Sequence, residues 1–194
     1  MGLRVISGSR RGRKLLTVKG MRTRPTADRM RESLFNILSN RVIGSHILDL
    51  FAGTGALGIE ALSRGATSAV FIDKEKEAFS IIGRNLEICR LEEQSKVMRW
   101  DIATNLKCLE GKEPKFDMVF MDPPYDQGLA QKALANLYQS NSVTNGAIVV
   151  VEHSPAEPVH ENLFGFEMTD QRRYGRTCFS FFHVQLPAEK ERTA

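Results

Sequence analysis

The sequence predicts an α/β protein: a parallel sheet with helices on both faces, completed by an antiparallel hairpin. Three observations carry this. Residues 47–50 form a short apolar run that leads through three glycines into helical spacing at Leu57, Ala61 and Leu62. Further apolar runs at 68–73, 96–102, 115–121 and 146–153 alternate with helical stretches, notably 75–88 and 129–137, as repeated strand–helix units require. The runs 164–168 and 177–185 flank a short basic turn, as antiparallel neighbours would.

Taken in order, residues 3–8 and 14–18 read as two short strands joined by a basic hairpin tip, Ser9-Arg10-Arg11-Gly12-Arg13. Arginines on such a ribbon can grip phosphates and stack on splayed bases. The plainer alternative is a charged, solvated hairpin. Thr26 is a plausible N-cap for a helix whose inner face carries Met30, Leu34, Ile37 and Leu38, joined by Phe35. Arg24, Arg29 and Arg31 would sit near its start or on its polar side. In 75–88, Phe79, Ile82 and Leu86 are expected inward. Residues 146–153 read as a fully buried strand, with Glu152 and His153 at its end either lining a pocket or serving the fold.

At 194 residues, 42% hydrophobic and 26% charged, the chain suits one domain with a sizeable core and a small appendage. No apolar run approaches the roughly 20 residues of a membrane span. The basic N-terminus lacks the apolar core of a secretory signal. Cys89, Cys108 and Cys178 are odd in number and far apart, which suits a reducing compartment, the cytoplasm. With four scattered histidines they predict no metal site. The net charge of +4 conceals a segregation: residues 1–31 hold ten Lys/Arg and one acid, the rest seventeen and twenty-two. A basic segment on an acidic body points to a polyanion partner, nucleic acid first.

Gly53, Gly55 and Gly58 spell G-x-G-x-x-G, a pattern open to several nucleotide ligands and also to a plain strand–helix turn. Asp49, four residues before Gly53, narrows the choice. A carboxylate there would repel a pyrophosphate and attract an ammonium. Asp49-Leu50-Phe51-Ala52-Gly53-Thr54-Gly55 resembles the cofactor motif of class I S-adenosylmethionine-dependent methyltransferases. Asp73, 15 residues after Gly58 and followed by Lys74, lies near the offset at which an acid meets ribose hydroxyls. Asp101 could accept from an adenine amino group, with Ile102 against the ring. Each acid also fits a polar residue that merely ends a strand.

Asp122-Pro123-Pro124-Tyr125 is chemically the most specific stretch. The Asp122 carboxylate and the Pro123 carbonyl can both accept from one exocyclic amine, and Tyr125 can stack on the base that bears it. An aromatic amine is a poor nucleophile because its lone pair is delocalised into the ring. Two acceptors that orient it lower that barrier by positioning and electrostatics. Asp49, Asp73, Asp101 and Asp122 all fall at predicted carboxyl ends of strands, where ligands of such sheets bind.

The basic hairpin, Arg24-Pro25-Thr26-Ala27-Asp28-Arg29-Met30-Arg31-Glu32, the Asp49–Gly55 motif and Asp122-Pro123-Pro124-Tyr125 occur in the order seen in the RsmD family. The chain resembles these bacterial 16S ribosomal RNA guanine-N2 methyltransferases over residues 1–185. The resemblance implies a Rossmann-like, seven-stranded class I methyltransferase sheet over 41–186. It adds a basic, RNA-binding and cofactor-covering extension over 1–40 and a charged tail over 187–194. It implies methyl transfer from S-adenosylmethionine to the N2 amine of one guanine, in the small (30S) subunit or a late assembly intermediate, by a cytoplasmic monomer. The cofactor residues would be Thr26, Asp49, Phe51, Ala52, Gly53, Thr54, Gly55, Gly58, Asp73, Lys74, Asp101 and Ile102. The catalytic ones would be Asp122, Pro123, Pro124 and Tyr125. The RNA-binding set would be Arg10, Arg11, Arg13, Lys14, Arg22, Arg24 and Arg29. To it the basic turn at 172–176, which has no clear match in the family, adds Arg172, Arg173 and Arg176. Three alternatives share parts of the pattern: a DNA adenine-N6 methyltransferase, a nicotinamide oxidoreductase, and a non-catalytic RNA-binding assembly factor.

Overall fold

The basic hairpin is fastened by buried polar side chains of the segment that follows it. The computed structural model describes residues 2–18 and 25–186, without the side chains of residues 25–27 and 162. The chain divides into two compact units, Met1–Ile102 and Ala103–Ala194.

The first unit opens with that hairpin. Only Arg4 and Lys14 form a bridge, and a short 3-10 turn, Gly8–Arg10, stands where the first expected strand should end. Backbone bonds cross the hairpin from Val5 N–H to the Arg13 carbonyl, Gly12 N–H to the Val5 carbonyl and Leu15 N–H to the Leu3 carbonyl, and other amides are spent on side chains of the body. Glu60, fully buried, accepts from the Ile6 and Ser7 N–H groups at 2.7 and 2.9 Å. The Ser63 hydroxyl accepts from Arg10 N–H and donates to the Ser7 carbonyl. Asn85 accepts from Leu16 N–H and donates to the Leu16 and Thr54 carbonyls. The diversion of the Ile6, Ser7, Arg10 and Leu16 amides to side chains interrupts the ladder, so two strands are expected and one bridge is found.

Helix α1 (Pro25–Leu38) buries Leu34, Phe35 and Leu38, while Ile37 is 39% exposed and falls off the inner face. Arg31, expected on the polar side, is buried. Its guanidinium donates to the Arg4 carbonyl at 2.6 Å and pairs with Asp28 at 3.2 Å. Burial pulls its pKa below the usual value, against the pull of Glu60 and Asp28. Arg64 donates to Glu60 at 2.8 Å and lies over the Phe35 ring at 4.8 Å. The hairpin, α1 and the next helix are thereby tied around one carboxylate.

Strands β1 (His46–Leu50), β2 (Ser68–Asp73) and β3 (Ser95–Arg99) pair in parallel in the order β3-β2-β1. Helices α2 (Ala56–Ser63) and α3 (Lys76–Cys89) follow the first two. In α3 the buried face is Ala78, Ile81, Ile82, Asn85, Leu86 and Cys89; Phe79, expected inward, is 41% exposed. β3 ends at Arg99, so Trp100, Asp101 and Ile102 belong to the loop beyond it.

In the second unit β4 (Phe116–Met121) pairs in parallel with β5 (Val143–His153), and α4 (Leu129–Ser140) connects them. The antiparallel strands β8 (Thr177–Val184), β7 (Phe166–Tyr174) and β6 (Asn162–Leu163) extend that sheet in the order β4-β5-β8-β7-β6. β7 starts later and runs longer than the expected 164–168, because Phe164 and Gly165 turn with φ of +53° and +75°. Arg172, Arg173 and Tyr174 are thus strand residues, and Gly175 and Arg176 alone form the turn. With the two-residue β6 set aside, the described residues hold seven strands, the number expected of this fold.

Candidate functional site

Three carboxylates reach the carboxyl edge of the parallel β1–β2–β3 sheet, each on its own footing. Asp49, the penultimate residue of β1, is 2% exposed, and its Oδ2 accepts from Gly58 N–H at 2.9 Å. Burial pushes its pKa up to about 8, helped by nearby Asp73 and opposed by the Gly58 bond. A largely desolvated carboxyl of this kind is primed for a cationic partner. Asp73 closes β2; its Oδ2 accepts from Gly53 N–H and its Oδ1 from Glu75 N–H, both at 2.9 Å. It therefore holds the glycine turn to the start of α3, a task the sequence reading did not assign. Asp101, two residues past β3, is exposed, whereas Ile102 is buried.

The turn between β1 and α2 fits a close ligand. Phe51, a non-glycine residue, has φ of +59°, a strained conformation that clusters at binding sites. Ala52 and Thr54 are buried, Gly53 is half-buried, and Gly55 caps α2 with φ of +75°. At Gly58 an added Cβ would lie 2.4 Å from the Phe71 ring and 3.1 Å from the Asp49 carboxylate. Only glycine lets α2 approach β2 so closely and leaves room for the Asp49 carboxylate against its N–H. These features suit an amino-acid-bearing nucleoside: a buried carboxyl that ionises beside its ammonium, and close backbone approach. Lys74 is exposed, and its carbonyl accepts from Arg99.

In the second unit the Asp122-Pro123-Pro124-Tyr125 segment leaves the end of β4. Asp122 is half-buried, Pro123 buried and Pro124 exposed. The Tyr125 hydroxyl donates to Glu152 Oε1 at 2.6 Å and lies 3.3 Å from the Thr177 hydroxyl. Burial and the charge of Glu152 raise the Tyr125 pKa far above the usual phenol range, so the ring stays neutral. Burial likewise lifts the Glu152 carboxyl. Glu157 accepts from the backbone N–H groups of Asp126 and Gly128, the latter at 2.6 Å. Glu152 and Glu157 thus hold the motif's ring and the loop behind it. Glu157 carries little signal in the sequence, since it lies 31 and 29 residues from its partners. His153 is buried, with Nδ1 bonded to the Ser154 carbonyl and Nε2 to the Ser180 hydroxyl, so it serves the core.

Of the expected RNA contacts, Arg11, Arg13, Lys14, Arg29, Arg172, Arg173 and Arg176 are exposed. Arg10 turns back, donating to the Arg90 carbonyl at 3.3 Å. Arg172 pairs with Asp170 at 2.9 Å, and Arg173 donates to the Gly175 carbonyl. Arg22, Arg24 and the Thr26 side chain lie outside the described residues. Among the described residues no three His, Cys, Asp or Glu side chains gather as a metal site requires, and no helix is long and apolar enough to cross a membrane.

Residues 3–183 match the family described as conserved hypothetical protein 95. "Putative rRNA methyltransferase YlbH" of Bacillus subtilis is 37% identical, over 93% of this chain and 98% of that one. "Ribosomal RNA small subunit methyltransferase D" of Haemophilus influenzae is 37% identical, over 81% of each chain. Among solved structures, "Putative methyltransferase yhhF" from Escherichia coli superposes with a TM-score of 0.83 at 29% identity, over 94% of this chain and 98% of that one. With a class I methyltransferase fold and both motifs in place, the chain belongs to the family of conserved hypothetical protein 95 and of the small-subunit methyltransferases D, the RsmD family.

Proposed function

We propose that this chain transfers a methyl group from S-adenosylmethionine to the exocyclic N2 amine of one guanine in 16S ribosomal RNA. The substrate would be the 30S subunit or a late assembly intermediate, and the enzyme a cytoplasmic monomer. The observation that carries the reading is the Asp122–Tyr125 segment at the end of β4, its aromatic ring fixed through Glu152, in a chain 37% identical to a small-subunit methyltransferase D.

In this reading S-adenosylmethionine, when bound, supplies a sulfonium-activated methyl group. Asp49 accepts from its ammonium, Asp73 from its ribose and Asp101 from its adenine. Phe51 to Gly55 and Gly58 provide the turn, with Lys74, Ile102 and Thr26 beside it. The Asp122 carboxylate and the Pro123 carbonyl would each accept one N–H of the target amine, which turns its lone pair out of the ring plane and frees it to attack. Pro124 keeps the segment rigid, and Tyr125 stacks on the flipped base. An amine that had taken the methyl would be cationic and acidic enough to lose its proton to water. His153, with both ring nitrogens engaged, is not needed as a base. Arg10, Arg11, Arg13, Lys14, Arg22, Arg24 and Arg29 within the extension 1–40 would grip the RNA backbone, as would Arg172, Arg173 and Arg176. Residues 41–186 would be the catalytic domain and 187–194 a tail.

The test is transfer of labelled methyl to 30S subunits lacking the modification, with naked 16S RNA and duplex DNA alongside, followed by digestion to nucleosides. N2-methylguanosine from subunits is expected. Label in N6-methyladenine of DNA overturns the substrate assignment, and transfer to nothing overturns the enzyme.

A further inference from the structure

Glu152 has an oxygen with no task. Its Oε1 receives the Tyr125 hydroxyl at 2.6 Å, while among the described residues no hydrogen bond reaches its Oε2. Glu152 is half-buried and burial raises the pKa of its carboxyl, so a donor arriving at the open oxygen is favoured. Asp122 lies close enough for its charge to act on the same Tyr125 hydroxyl. Glu152 is hydrogen-bonded to the polar end of the ring proposed to stack on the target base, and Asp122, three residues earlier, adds a second carboxylate whose charge acts on it. One would have sufficed to orient an amine.

The donor pattern of the bases tells what a second acceptor is for. On its Watson–Crick edge guanine offers the two N2 hydrogens and N1–H, three donors in a row. Adenine offers an N6 amine beside an N1 lone pair. A carboxylate next to the amine-holding acceptors is satisfied by guanine and repelled by adenine, and a site built on such pairing discriminates strongly. We propose that Glu152 is the specificity-determining residue of the acceptor site, its Oε2 accepting N1–H of guanine while Asp122 and the Pro123 carbonyl hold the N2 amine. The inference rests on the function proposed above and adds the group that makes the site choose guanine.

Glu152→Gln separates this role from simple support of Tyr125. The amide oxygen still accepts the Tyr125 hydroxyl, and Thr177 at 3.3 Å still flanks it. The amide NH2 then faces N1, donor against donor for guanine and donor against acceptor for adenine. Binding is read from quenching of 2-aminopurine riboside, with guanosine and adenosine as competitors and S-adenosylhomocysteine at saturation to occupy the cofactor site. Wild type is expected to prefer guanosine over adenosine by about tenfold or more. Glu152→Gln should abolish or invert that order with S-adenosylhomocysteine affinity unchanged, whereas Tyr125→Phe should weaken both nucleosides and keep it. A Glu152→Gln protein that keeps the wild-type order, or a wild type without preference, overturns the proposal. Were the order as expected but no N2-methylguanosine formed in subunits, the assignment of the reaction would fail while the base preference stood.

Discussion

The two motif loops are held in opposite ways. The glycine turn after β1 is held by carboxylates written into the same strand edge. Asp49 takes Gly58 N–H and Asp73 takes Gly53 N–H, at separations of 9 and 20 residues. The loop after β4 is held from outside, by Glu152 on the Tyr125 hydroxyl and Glu157 on the Asp126 and Gly128 backbone. In the first loop the braces fix backbone shape. In the second they fix one aromatic ring. A loop that presents backbone needs glycine and local braces; a loop that presents side chains needs remote ones.

The sharpest division between the loops is expected from Asp122→Ala, which should lower methyl transfer by about a thousandfold while leaving cofactor affinity intact. Calorimetry with S-adenosylmethionine beside a transfer assay checks both halves, and a lost cofactor affinity would mean the loops are not separable. Asp49→Asn should do the reverse, weakening cofactor binding by about a hundredfold. Its pH behaviour follows from the same carboxyl. In the wild type, cofactor affinity should climb more than about tenfold from pH 6 to 7.5 as Asp49 ionises, and in the variant stay flat. The folded-state pKa, about 8, lies above the ordinary 3.8, so this group's contribution to stability is complete below pH 4 and is lost as pH rises through 8. Thermal melts of the ligand-free protein should therefore show Asp49→Asn gaining on wild type between pH 5 and 9.

Gly58→Ala places a methyl 2.4 Å from the fully buried Phe71 ring. A loss of about 1–3 kcal/mol in urea unfolding is expected, together with weaker cofactor binding. The smallest effect belongs to Glu157→Ala, which frees two backbone N–H groups behind Tyr125. Turnover should fall by about tenfold at unchanged cofactor affinity. An unaltered rate would show that Glu152 alone suffices to hold the second loop.

The same contrast explains what could be read from the sequence. Strand–glycine–helix order and the acids at strand ends are local patterns, so β1, α2, β2 and both motifs were legible. Glu60, Asn85 and Glu157 were not, because each reads in isolation as one more polar residue and acquires meaning only from partners up to 69 residues away. Ile37 and Phe79 misled because apolar spacing places several side chains near a helix's inner face without saying where that face ends. Arg31 misled for the opposite reason. Its charge suggested solvent, yet Asp28, Glu60 and the Arg4 carbonyl supply a buried counter-environment.

Glu60 has a further consequence for how the chain is made. A ribosome releases the basic hairpin before Glu60, Ser63 and Asn85 exist, since these partners lie 53 to 69 residues downstream. At about 5–20 residues per second the nascent hairpin waits several seconds for its fastenings. During that interval the Ile6, Ser7, Arg10 and Leu16 amides have only water for partners, and their arginines stand beside the most abundant polyanion in reach, the translating ribosome itself.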